Sequence, residues 1–536
     1  MPFNPTERQK QAISYLDSLV VTACPGSGKT TVMSEKISNV LTLNNKYQGI
    51  IGITFTKKAS AELKKRCSSH AKDLKSSFFG TIDSFCYQEL IVPFLSRLWG
   101  SNPKKCAVVK KLSDDQAALF ERIYNSPNIQ ELDNEAGFKR LYLQNALWMS
   151  SFSAIAVFIL RESVAAQNYI SAKYTHVFMD EYQDSSLAQH ELFLTLKKLG
   201  LVATAVGDID QSIFRFRGSR PELLDNLIQS TDFKHIHLDK NHRCHPSITN
   251  YANRLLDPDC DLLETENIRV ARYVLDGLPS DAAKKVSEWI MKWVREEKIA
   301  GASNVVILAK RSSVLTSVCE GLTCDYRLIS DTPLDDIGTD CSDLFSELLS
   351  YKHGAIQSAQ SLLDSISVRY FLSGKKPSVV LKFIKSIRQT NDEEFLETGL
   401  LLAGEIGLVV KPETIEATKT IQTSESLLKM FRPENEDEVQ VMTLHKSKGL
   451  EFDVVIHFGL EEWVFPYRKY SRDFDNPIYP DLEQETNLHY VGITRAEKLC
   501  LLIQTELRHN AYGEVKNSQP SYFLKLPQLE GLYNRR

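Results

Sequence analysis

A glycine-rich segment near the amino terminus carries residue types that bind phosphate. The segment, LVVTACPGSGKTT, joins an apolar stretch to an amphipathic one. Gly26 and Gly28 allow backbone N–H groups to point inward around phosphate oxygens, at the positive end of the helix that follows. Lys29 can reach the β and γ phosphates of a nucleotide, and the Thr30 hydroxyl can bind Mg²⁺. The predicted nucleotide-binding loop is Ala23, Cys24, Pro25, Gly26, Ser27, Gly28, Lys29, Thr30 and Thr31, with Ala23 where the strict pattern has glycine.

Two carboxylates at the end of an apolar run complete this chemistry. In THVFMDEYQDSS, apolar-biased residues lead to Asp180 and Glu181, which a strand would deliver toward the phosphate loop. Asp180 would hold the magnesium ion, and Glu181 would polarise the water that attacks the terminal phosphate. Buried strands often end in acidic residues, so the segment alone is a moderate signal. Together with the glycine-rich loop, it predicts Mg²⁺-dependent hydrolysis of ATP.

Short apolar runs alternate with amphipathic segments at the start of the chain, a rhythm typical of a parallel α/β sheet. Strand signals resume after a helical stretch, and a second set appears in the carboxyl-terminal half. The predicted strands are Leu19–Ala23, 50–55, 177–180, 202–206 and 236–238, and then Val305–Ala309, 439–444, 454–460 and 499–504. The simplest interpretation is an α/β protein with two parallel-sheet lobes, each interrupted by a helical insertion.

The same pattern predicts the domain boundaries. The first lobe is predicted to comprise residues 1–84 and 173–240, and its helical insertion residues 85–172. The second lobe takes 241–330 and 438–536, which includes a short tail, and its reduced helical insertion takes 331–437. That second insertion closes with the acidic, proline-containing run RPENEDE.

The composition excludes several classes of protein. The chain has 536 residues, 43% of them apolar, so it holds enough apolar material for several cores and is not a disordered protein. Its 64 Lys and Arg against 68 Asp and Glu give a formal net charge of −4, so any basic surface for nucleic acid must be local. None of the ten cysteines form a CxxC pair, which argues against a zinc site.

The location of the protein is predicted from two further features. The amino terminus has no apolar signal segment. The stretch 141–160 is free of charge for twenty residues, but polar side chains interrupt it, so a buried core helix is favoured over a membrane span. We therefore expect a cytoplasmic protein with no membrane partner.

Two neighbouring motifs give the chain a family resemblance. DEYQDSS, followed by AVGDIDQSIFRFRGS, resembles the UvrD/Rep family of superfamily 1A DNA helicases. The remaining motifs of that family are found in order along the chain, from about Gln9 to Leu499: ITFTKKASAELKKR, GTIDSFCYQEL, LDKNHRCHPSI, VMTLHKSKGLEFDVVI and HYVGITRAEKL. The resemblance implies two RecA-like lobes of the P-loop NTPase class with ATP in the cleft between them. It also implies a helicase that moves along single-stranded DNA in the 3′→5′ direction.

The resemblance implies roles for single residues in the nucleotide site. Gln9 matches the glutamine that reads the adenine edge, and Gln211 matches a sensor of the γ-phosphate. Arg243 and Arg495 match two arginines of the second lobe that stabilise the transferring phosphoryl group. Glu451 matches a residue that contacts the ribose.

Departures from the family pattern include His242 and Asp83. His242 stands where the family usually has a tyrosine that stacks on adenine, so we expect looser base selectivity. Asp83 stands where the family usually has a histidine that approaches the DNA backbone. A carboxylate there would repel phosphate, which puts that contact in doubt.

A short aromatic and basic run suggests a track for single-stranded DNA. In SIFRFRGS, Phe214 and Phe216 would lie on one face of the segment if it is extended, with Arg215 and Arg217 interleaved, the composition that base stacking requires. Phe216 aligns with the stacking tryptophan of the family. Phe55 matches a base pocket of the first lobe, and His445 and Lys448 match DNA contacts of the second.

Two functions stay open at this stage. The first is a translocase and helicase that acts on single strands and duplex junctions, with ATP and Mg²⁺ as cofactors. The second is a DNA-sensing ATPase that switches a separate partner nuclease, because no cleavage motif follows Leu499. Compact proteins of this build resemble the helicase component of Gabija-type anti-phage defence, and a repair or recombination helicase is the alternative.

Overall fold

The computed structural model describes residues 4–71, 73–100, 106–120, 135–215, 218–370, 376–471, 476–510 and 512–536. The chain divides into two compact units. Unit 1 comprises Met1–Ile209, Phe214–Lys240 and Thr332–Ser424, and unit 2 comprises Asp210–Ile213, Asn241–Asp331 and Glu425–Arg536. Each unit contains its own parallel sheet.

The described residues of unit 1 include eight strands. They are β1 (Leu19–Ala23), β2 (Gly49–Ile53), β3 (Phe78–Gly80), β4 (Ala107–Val109), β5 (Ala146–Trp148), β6 (Tyr174–Met179), β7 (Val202–Gly207) and β8 (Lys234–Leu238). Six of them form a parallel sheet in the order β3-β2-β6-β7-β1-β8, and β4 pairs separately with β5. All five residues of β1 are buried, between β7 and β8. The segment after β1 therefore emerges at the carboxyl edge of the sheet, beside the segment after β7.

Helices cover this sheet and form the first insertion. In the same part of the chain they are α1 (Glu7–Ser14), α2 (Lys29–Leu43), α3 (Lys57–His70), α4 (Ile82–Phe85), α5 (Val92–Trp99), α6 (Asp114–Ala117), α7 (Glu135–Leu143), α8 (Phe152–Glu162), α9 (Val164–Lys173), α10 (Leu187–Lys198) and α11 (Glu222–Gln229). One face of the sheet shares a continuous apolar core with the insertion, and the other face packs on α2.

The charge-free stretch 141–160 contributes α8 to that core. Residues 152–160 of α8 are all buried, so the prediction of a core helix is confirmed. Among the described residues, no single helix has the length and apolar character of a membrane span, although one bent pair, Met149–Glu162 with Val164–Lys173, passes by length and composition.

Unit 2 is built on a seven-stranded sheet. The remaining strands are β9 (Val270–Leu275), β10 (Val305–Ala309), β11 (Tyr326–Ile329), β12 (Val439–Thr443), β13 (Phe452–His457), β14 (Ala496–Thr505), β15 (Leu507–His509), β16 (Val515–Asn517) and β17 (Asn534–Arg535). The sheet runs β11-β12-β10-β13-β14-β9-β17 with parallel pairings, and β15 and β16 form an antiparallel pair. The prediction of two parallel α/β lobes is confirmed.

Strands β9 and β11 were not predicted, because each contains an arginine that interrupts its apolar run. In β11 that residue is Arg327, which is 5% exposed and donates to Glu438 over 2.9 Å. A paired arginine is compatible with a buried strand, but its partner lies more than a hundred residues away and is invisible to a local pattern.

The other helices complete both units. They are α12 (Pro246–Leu256), α13 (Pro279–Arg295), α14 (Ser312–Gly321), α15 (Pro333–Ile337), α16 (Asp340–His353), α17 (Ala359–Tyr370), α18 (Lys376–Ile387), α19 (Asp392–Glu405), α20 (Pro412–Thr423), α21 (Glu425–Leu428) and α22 (Leu482–Ile493). Of these, α15 to α20 lie in Thr332–Ser424, the part of the predicted second insertion (331–437) that belongs to unit 1.

The second insertion is fastened to the first one through strand β4. Val109 forms an antiparallel bridge with Thr339, and the Lys110 ammonium lies 2.9 Å from an Asp343 carboxylate oxygen. The Lys110 backbone N–H donates to the Gly338 carbonyl over 3.2 Å. Because β4 has only β5 as a sheet partner, its other edge offers the unpaired backbone groups that this segment satisfies.

Candidate functional site

The glycine-rich segment forms a tight turn between β1 and α2. Gly26 and Gly28 have φ angles of 69° and 80°, left-handed conformations that favour glycine. Gly28 caps α2 without a side-chain hydrogen bond, so the first N–H groups of the helix stay directed at the loop. Lys29 and Thr30 occupy the first turn of α2. The nine predicted loop residues therefore lie together as a strand end, a turn and a helix start, which is a cradle for phosphate.

Lys29 lies opposite a carboxylate that the sequence did not single out. Its ammonium is 3.7 Å from Asp208 Oδ2, and the two side chains are 12% and 5% exposed. Asp208 directly follows β7, the parallel neighbour of β1, so the sheet delivers both groups to one edge. An acidic residue immediately after a strand was the signal used for Asp180, and it would have found Asp208 as well.

Glu181 has an unusual backbone conformation beside this pair. Its φ and ψ are 52° and 42°, in the left-handed region. Its backbone N–H donates to Asp180 Oδ1 over 3.0 Å, and its carboxylate accepts from Gln183 Nε2 over 2.6 Å. Gln183 Oε1 in turn accepts from the Asp208 backbone N–H over 3.0 Å. The buried Gln183, another residue the sequence did not flag, thus connects the candidate base to the segment that faces Lys29.

Gln9 is already oriented toward the phosphate loop. Its Nε2 donates to the Ser27 carbonyl over 2.9 Å, and its Oε1 accepts from the Thr6 backbone N–H over 2.8 Å in a capping box at the start of α1. A primary amide has two N–H groups and two oxygen lone pairs. These bonds leave one N–H group and one oxygen lone pair, the donor and acceptor types that would pair with an adenine edge, on a residue that is 3% exposed.

Within unit 2, Arg495 and Gln211 are in contact. Arg495 is 2% exposed, and its Nη2 donates to Gln211 Oε1 over 3.1 Å. The backbone carbonyls of Val491 and Leu450 accept two further bonds, over 3.0 and 3.1 Å. Lys448 donates from Nζ to the Gln211 carbonyl over 2.5 Å. A predicted DNA contact, a predicted phosphate sensor and a predicted arginine finger are therefore directly linked.

Two other predicted residues of unit 2, Arg243 and Glu451, are in contact. Arg243 Nε donates to Glu451 Oε2 over 2.8 Å, and Arg243 Nη1 donates to the Thr494 carbonyl over 3.4 Å. Thr494 also accepts from Arg495 Nη2 at its hydroxyl over 3.3 Å, so it joins the two arginines and is a residue that the sequence reasoning missed. His242 is exposed.

The predicted DNA-binding aromatics differ in exposure. Phe55 is 39% exposed and Phe214 is 6% exposed, and their rings stack at 5.1 Å with 17° between the planes. Phe214 therefore lies behind Phe55 with little surface left for a base. Phe216 lies outside the described residues. His445 is half-buried in unit 2.

Asp83 keeps most of its charge near neutral pH. It lies in α4, directly after the cap residue Thr81 and Ile82. Burial raises the pKa of its carboxyl to about 6, so the carboxylate still predominates at pH 7. The expected repulsion of DNA phosphate therefore remains a prediction.

The fold and the site together define a P-loop NTPase with two RecA-like α/β lobes. A family model described as the UvrD/REP helicase N-terminal domain matches residues 4–135 and 100–232, and a UvrD-like helicase C-terminal domain matches 382–506. The chain belongs to the UvrD/Rep helicase family and is an ATP-dependent DNA helicase by class.

Curated relatives cover nearly the whole chain. The Gabija protein GajB of Bacillus cereus (strain VD045) is 29% identical over 522 residues, which span 94% of this chain and 97% of GajB. The ATP-dependent DNA helicase Rep of Escherichia coli (strain K12) is 25% identical over 645 residues, 97% of this chain and 94% of Rep. DNA helicase II of Haemophilus influenzae is 24% identical over 649 residues, 98% of this chain and 87% of that protein.

Proposed function

We propose that this chain binds ATP and Mg²⁺ and couples hydrolysis to 3′→5′ movement along single-stranded DNA, which unwinds duplexes at junctions. The observation that carries the proposal is the continuous path from Lys29 through Asp208 and Gln183 to Glu181 in unit 1. It joins a phosphate cradle to a candidate base, so that the attacking water and the terminal phosphate are positioned by one rigid network.

The metal requires few protein ligands in such a site. Mg²⁺ keeps several waters and takes one or two side-chain oxygens together with phosphate oxygens. Two side chains fit that requirement. Thr30 lies in the first turn of α2. Asp180 follows β6, and its backbone N–H donates to the Ile53 carbonyl over 3.0 Å. The ion would neutralise charge that develops on the phosphates.

Two arginines of unit 2 are candidates to stabilise the transferring phosphoryl group. Arg495 donates to the Val491 and Leu450 carbonyls and to Gln211. Arg243 forms an ion pair with Glu451. We infer that Arg243 and Arg495 act as arginine fingers, that Glu451 contacts the ribose, and that Gln211 senses the γ-phosphate.

Strand displacement tests the proposed activity and its direction. Duplexes with a 3′ tail, a 5′ tail or blunt ends are incubated with the protein, with and without ATP, and Lys29→Ala serves as the inactive control. ATP-dependent displacement of the 3′-tailed duplex alone is the expected result. Displacement from the 5′ tail would overturn the polarity. ATP hydrolysis stimulated by DNA without displacement would favour the second candidate, a DNA-sensing ATPase.

A specific observation favours anti-phage defence over repair. The alignment with Rep occupies 645 positions although this chain has 536 residues, so more than 100 positions of Rep face gaps. The alignment with the Gabija protein GajB occupies 522 positions and covers 97% of that protein, so the two chains are nearly collinear. We infer that this chain shares the compact build of GajB and works with a separate nuclease.

Phage challenge tests the pathway. The gene and its chromosomal neighbours are transferred to a phage-sensitive bacterium, and plaques are counted for the intact set and for Lys29→Ala. Fewer plaques only with the intact set would support defence. Equal plaque counts, together with sensitivity to DNA damage when the gene is deleted from its host, would favour repair.

A further inference from the structure

A buried lysine in α2 has no part in the proposed chemistry. Lys36 is 3% exposed, and its ammonium donates to the Ala12 carbonyl over 3.1 Å and to the Tyr15 carbonyl. Among the described residues, no carboxylate lies within ion-pair distance of it. Burial lowers the pKa of Lys36 to about 8. A buried cation held only by carbonyl groups is expensive to keep, so it calls for a reason.

The two carbonyl groups belong to the end of α1. Ala12 lies in its last turn and Tyr15 is its C-cap residue, so both carbonyls are among those that a helix end leaves unsatisfied. A cation at this position also interacts favourably with the negative end of the helix dipole. Lys36 therefore caps α1 from a neighbouring helix.

Helix α1 depends on such contacts for its position. It has eight residues, too few to be stable alone in water. At its start, Gln9 is bound to Thr6 and to the Ser27 carbonyl of the phosphate loop. Arg8 adds an ion pair with Asp239, but both side chains are more than half exposed, so that pair contributes little.

Lys36 connects α1 to the helix that begins in the phosphate loop. Lys29 starts α2, and Lys36 lies about two turns further along the same helix. One rigid helix thus carries the phosphate ligand at its start and the anchor of α1 seven residues on. The distance between the phosphate loop and Gln9 is consequently set by contacts at both ends of α1.

We propose that Lys36 is a positioning residue for base selection: it locks α1 onto α2, so that the Gln9 amide stays at a fixed distance from the phosphate loop. The inference rests on the proposed adenine-reading role of Gln9. A nucleotide held by its phosphates then presents its base to an amide that is already in place, which reduces the ordering required on binding.

Substitution of Lys36, with a matched control, tests this role. Lys36→Met keeps the length and removes the donor, and Lys36→Arg keeps the cation. Lys75→Met is the control, because the Lys75 ammonium caps the Leu41 and Asn44 carbonyls at the far end of α2 in the same manner. Gln9→Ala reports on the adenine contact itself. Dissociation constants for fluorescent ATP and GTP, steady-state hydrolysis, thermal melting and hydrogen exchange of α1 amides are measured on each protein.

The expected result separates positioning from general stability. Lys36→Met should lower the preference for ATP over GTP about fivefold, the worth of one net hydrogen bond, and raise the KM for ATP with little change in kcat. Amides of α1 should exchange faster in that variant without nucleotide. Lys36→Arg should retain the preference, and Lys75→Met should retain it even if its melting temperature falls.

Three outcomes would overturn the inference. If Gln9→Ala loses the preference but Lys36→Met keeps it, Lys36 does not position the amide and the role of Gln9 stands. If neither variant changes the preference, the adenine role of Gln9 fails together with this inference. If Lys36→Met and Lys75→Met change it equally, the effect is general destabilisation. Should Lys36→Met not fold, Lys36→Gln gives the same comparison against Lys36→Arg.

Discussion

At the scale of single residues, Glu181 combines a strained backbone with a position at the phosphate site. A left-handed conformation costs a non-glycine residue about 1–3 kcal/mol and persists only where the surroundings hold it. Here Asp180 and Gln183 bind its backbone and side chain. The next residue, Tyr182, is fully buried and its hydroxyl lies 2.8 Å from His190 Nδ1. These contacts fix the direction of the Glu181 carboxylate.

Replacement of this carboxylate should separate binding from hydrolysis. We expect Glu181→Gln to bind ATP as the wild type does, because the phosphate loop is untouched, and to lose about 10²–10⁴-fold in turnover through loss of the general base. Lys29→Ala, by contrast, should lose both, because the cation that holds the phosphates is removed. Titration with a fluorescent ATP analogue and a coupled ATPase assay measure the two effects. Wild-type turnover in Glu181→Gln would show that another group activates the water.

The stacked rings Phe55 and Phe214 should have different roles. The exposed Phe55 can present a face to a base, and we expect Phe55→Ala to weaken single-strand binding by about 1–3 kcal/mol with little loss of stability. The buried Phe214 supports that ring, and Phe214→Ala should lower the free energy of unfolding by about 3–5 kcal/mol. Thermal melting and titration with a labelled oligonucleotide distinguish the two. A destabilised Phe55→Ala with unchanged DNA affinity would make Phe55 a core residue.

At the scale of elements, β13 and α22 meet at two buried imidazoles. His457 lies in β13 and His489 in α22, with ring centroids 5.1 Å apart and Phe523 stacked on His489 at 4.6 Å. Within the described part of the chain, none of their ring nitrogens has a hydrogen-bond partner. Burial lowers the pKa of His457 to about 3 and that of His489 well below its ordinary value. Both rings are therefore neutral in the folded state.

This packing should make unit 2 sensitive to acid. Because the pKa of each imidazole is lower in the folded state than in the unfolded chain, the stability they contribute is present above about pH 6.5 and is lost as the pH falls toward 3. Within that window, each imidazole should lower the free energy of unfolding by about 1.4 kcal/mol for each pH unit that the pH falls. Hydrogen exchange of β13 and α22 peptides between pH 7 and pH 4.5 measures the loss. His489→Phe, which keeps the ring stack, should reduce the slope, and an unchanged slope would contradict this assignment.

At the scale of the whole molecule, predicted DNA and nucleotide contacts are linked through a few side chains of unit 2. Lys448 donates to the backbone of Gln211, and the side chain of Gln211 binds Arg495. If a phosphate of DNA draws Lys448 away from the Gln211 carbonyl, we expect the predicted sensor and the predicted arginine finger to be displaced.

Single-stranded DNA should therefore accelerate ATP hydrolysis. We expect the stimulation to weaken as the salt concentration rises, because DNA binding releases counterions. The logarithm of the DNA-binding constant should fall against the logarithm of the salt concentration with a slope of about −0.7 for each phosphate neutralised. Lys448→Ala should reduce the stimulation, because it removes the half-buried ammonium that links the predicted DNA contact to Gln211. It should also alter hydrolysis without DNA, since the Gln211 side chain binds Arg495. ATPase rates against oligonucleotide concentration at several salt concentrations test this. A rate indifferent to DNA would contradict the helicase mechanism.

The sequence by itself determined the features whose geometry is local. A strand, a turn with glycine at two left-handed positions and a helix that starts at Lys29 can be read from thirteen consecutive residues, because each residue type is required by its own backbone or by a phosphate. The two parallel sheets followed from apolar runs of strand length. The order of the motifs was enough to identify the family.

Only the tertiary structure decided which distant residues meet. The pairing of β7 with β1 brings Asp208 to Lys29, and Gln183 then joins that pair to Glu181. Phe214 became a supporting ring rather than a free platform because Phe55, in a distant segment, covers it. In the sequence, Lys36 resembles any lysine of an amphipathic helix. Only the tertiary structure shows that its ammonium binds the carbonyl end of α1. Contacts of this kind depend on which strands become neighbours and on which polar groups a fold leaves unsatisfied, and no local spacing encodes either.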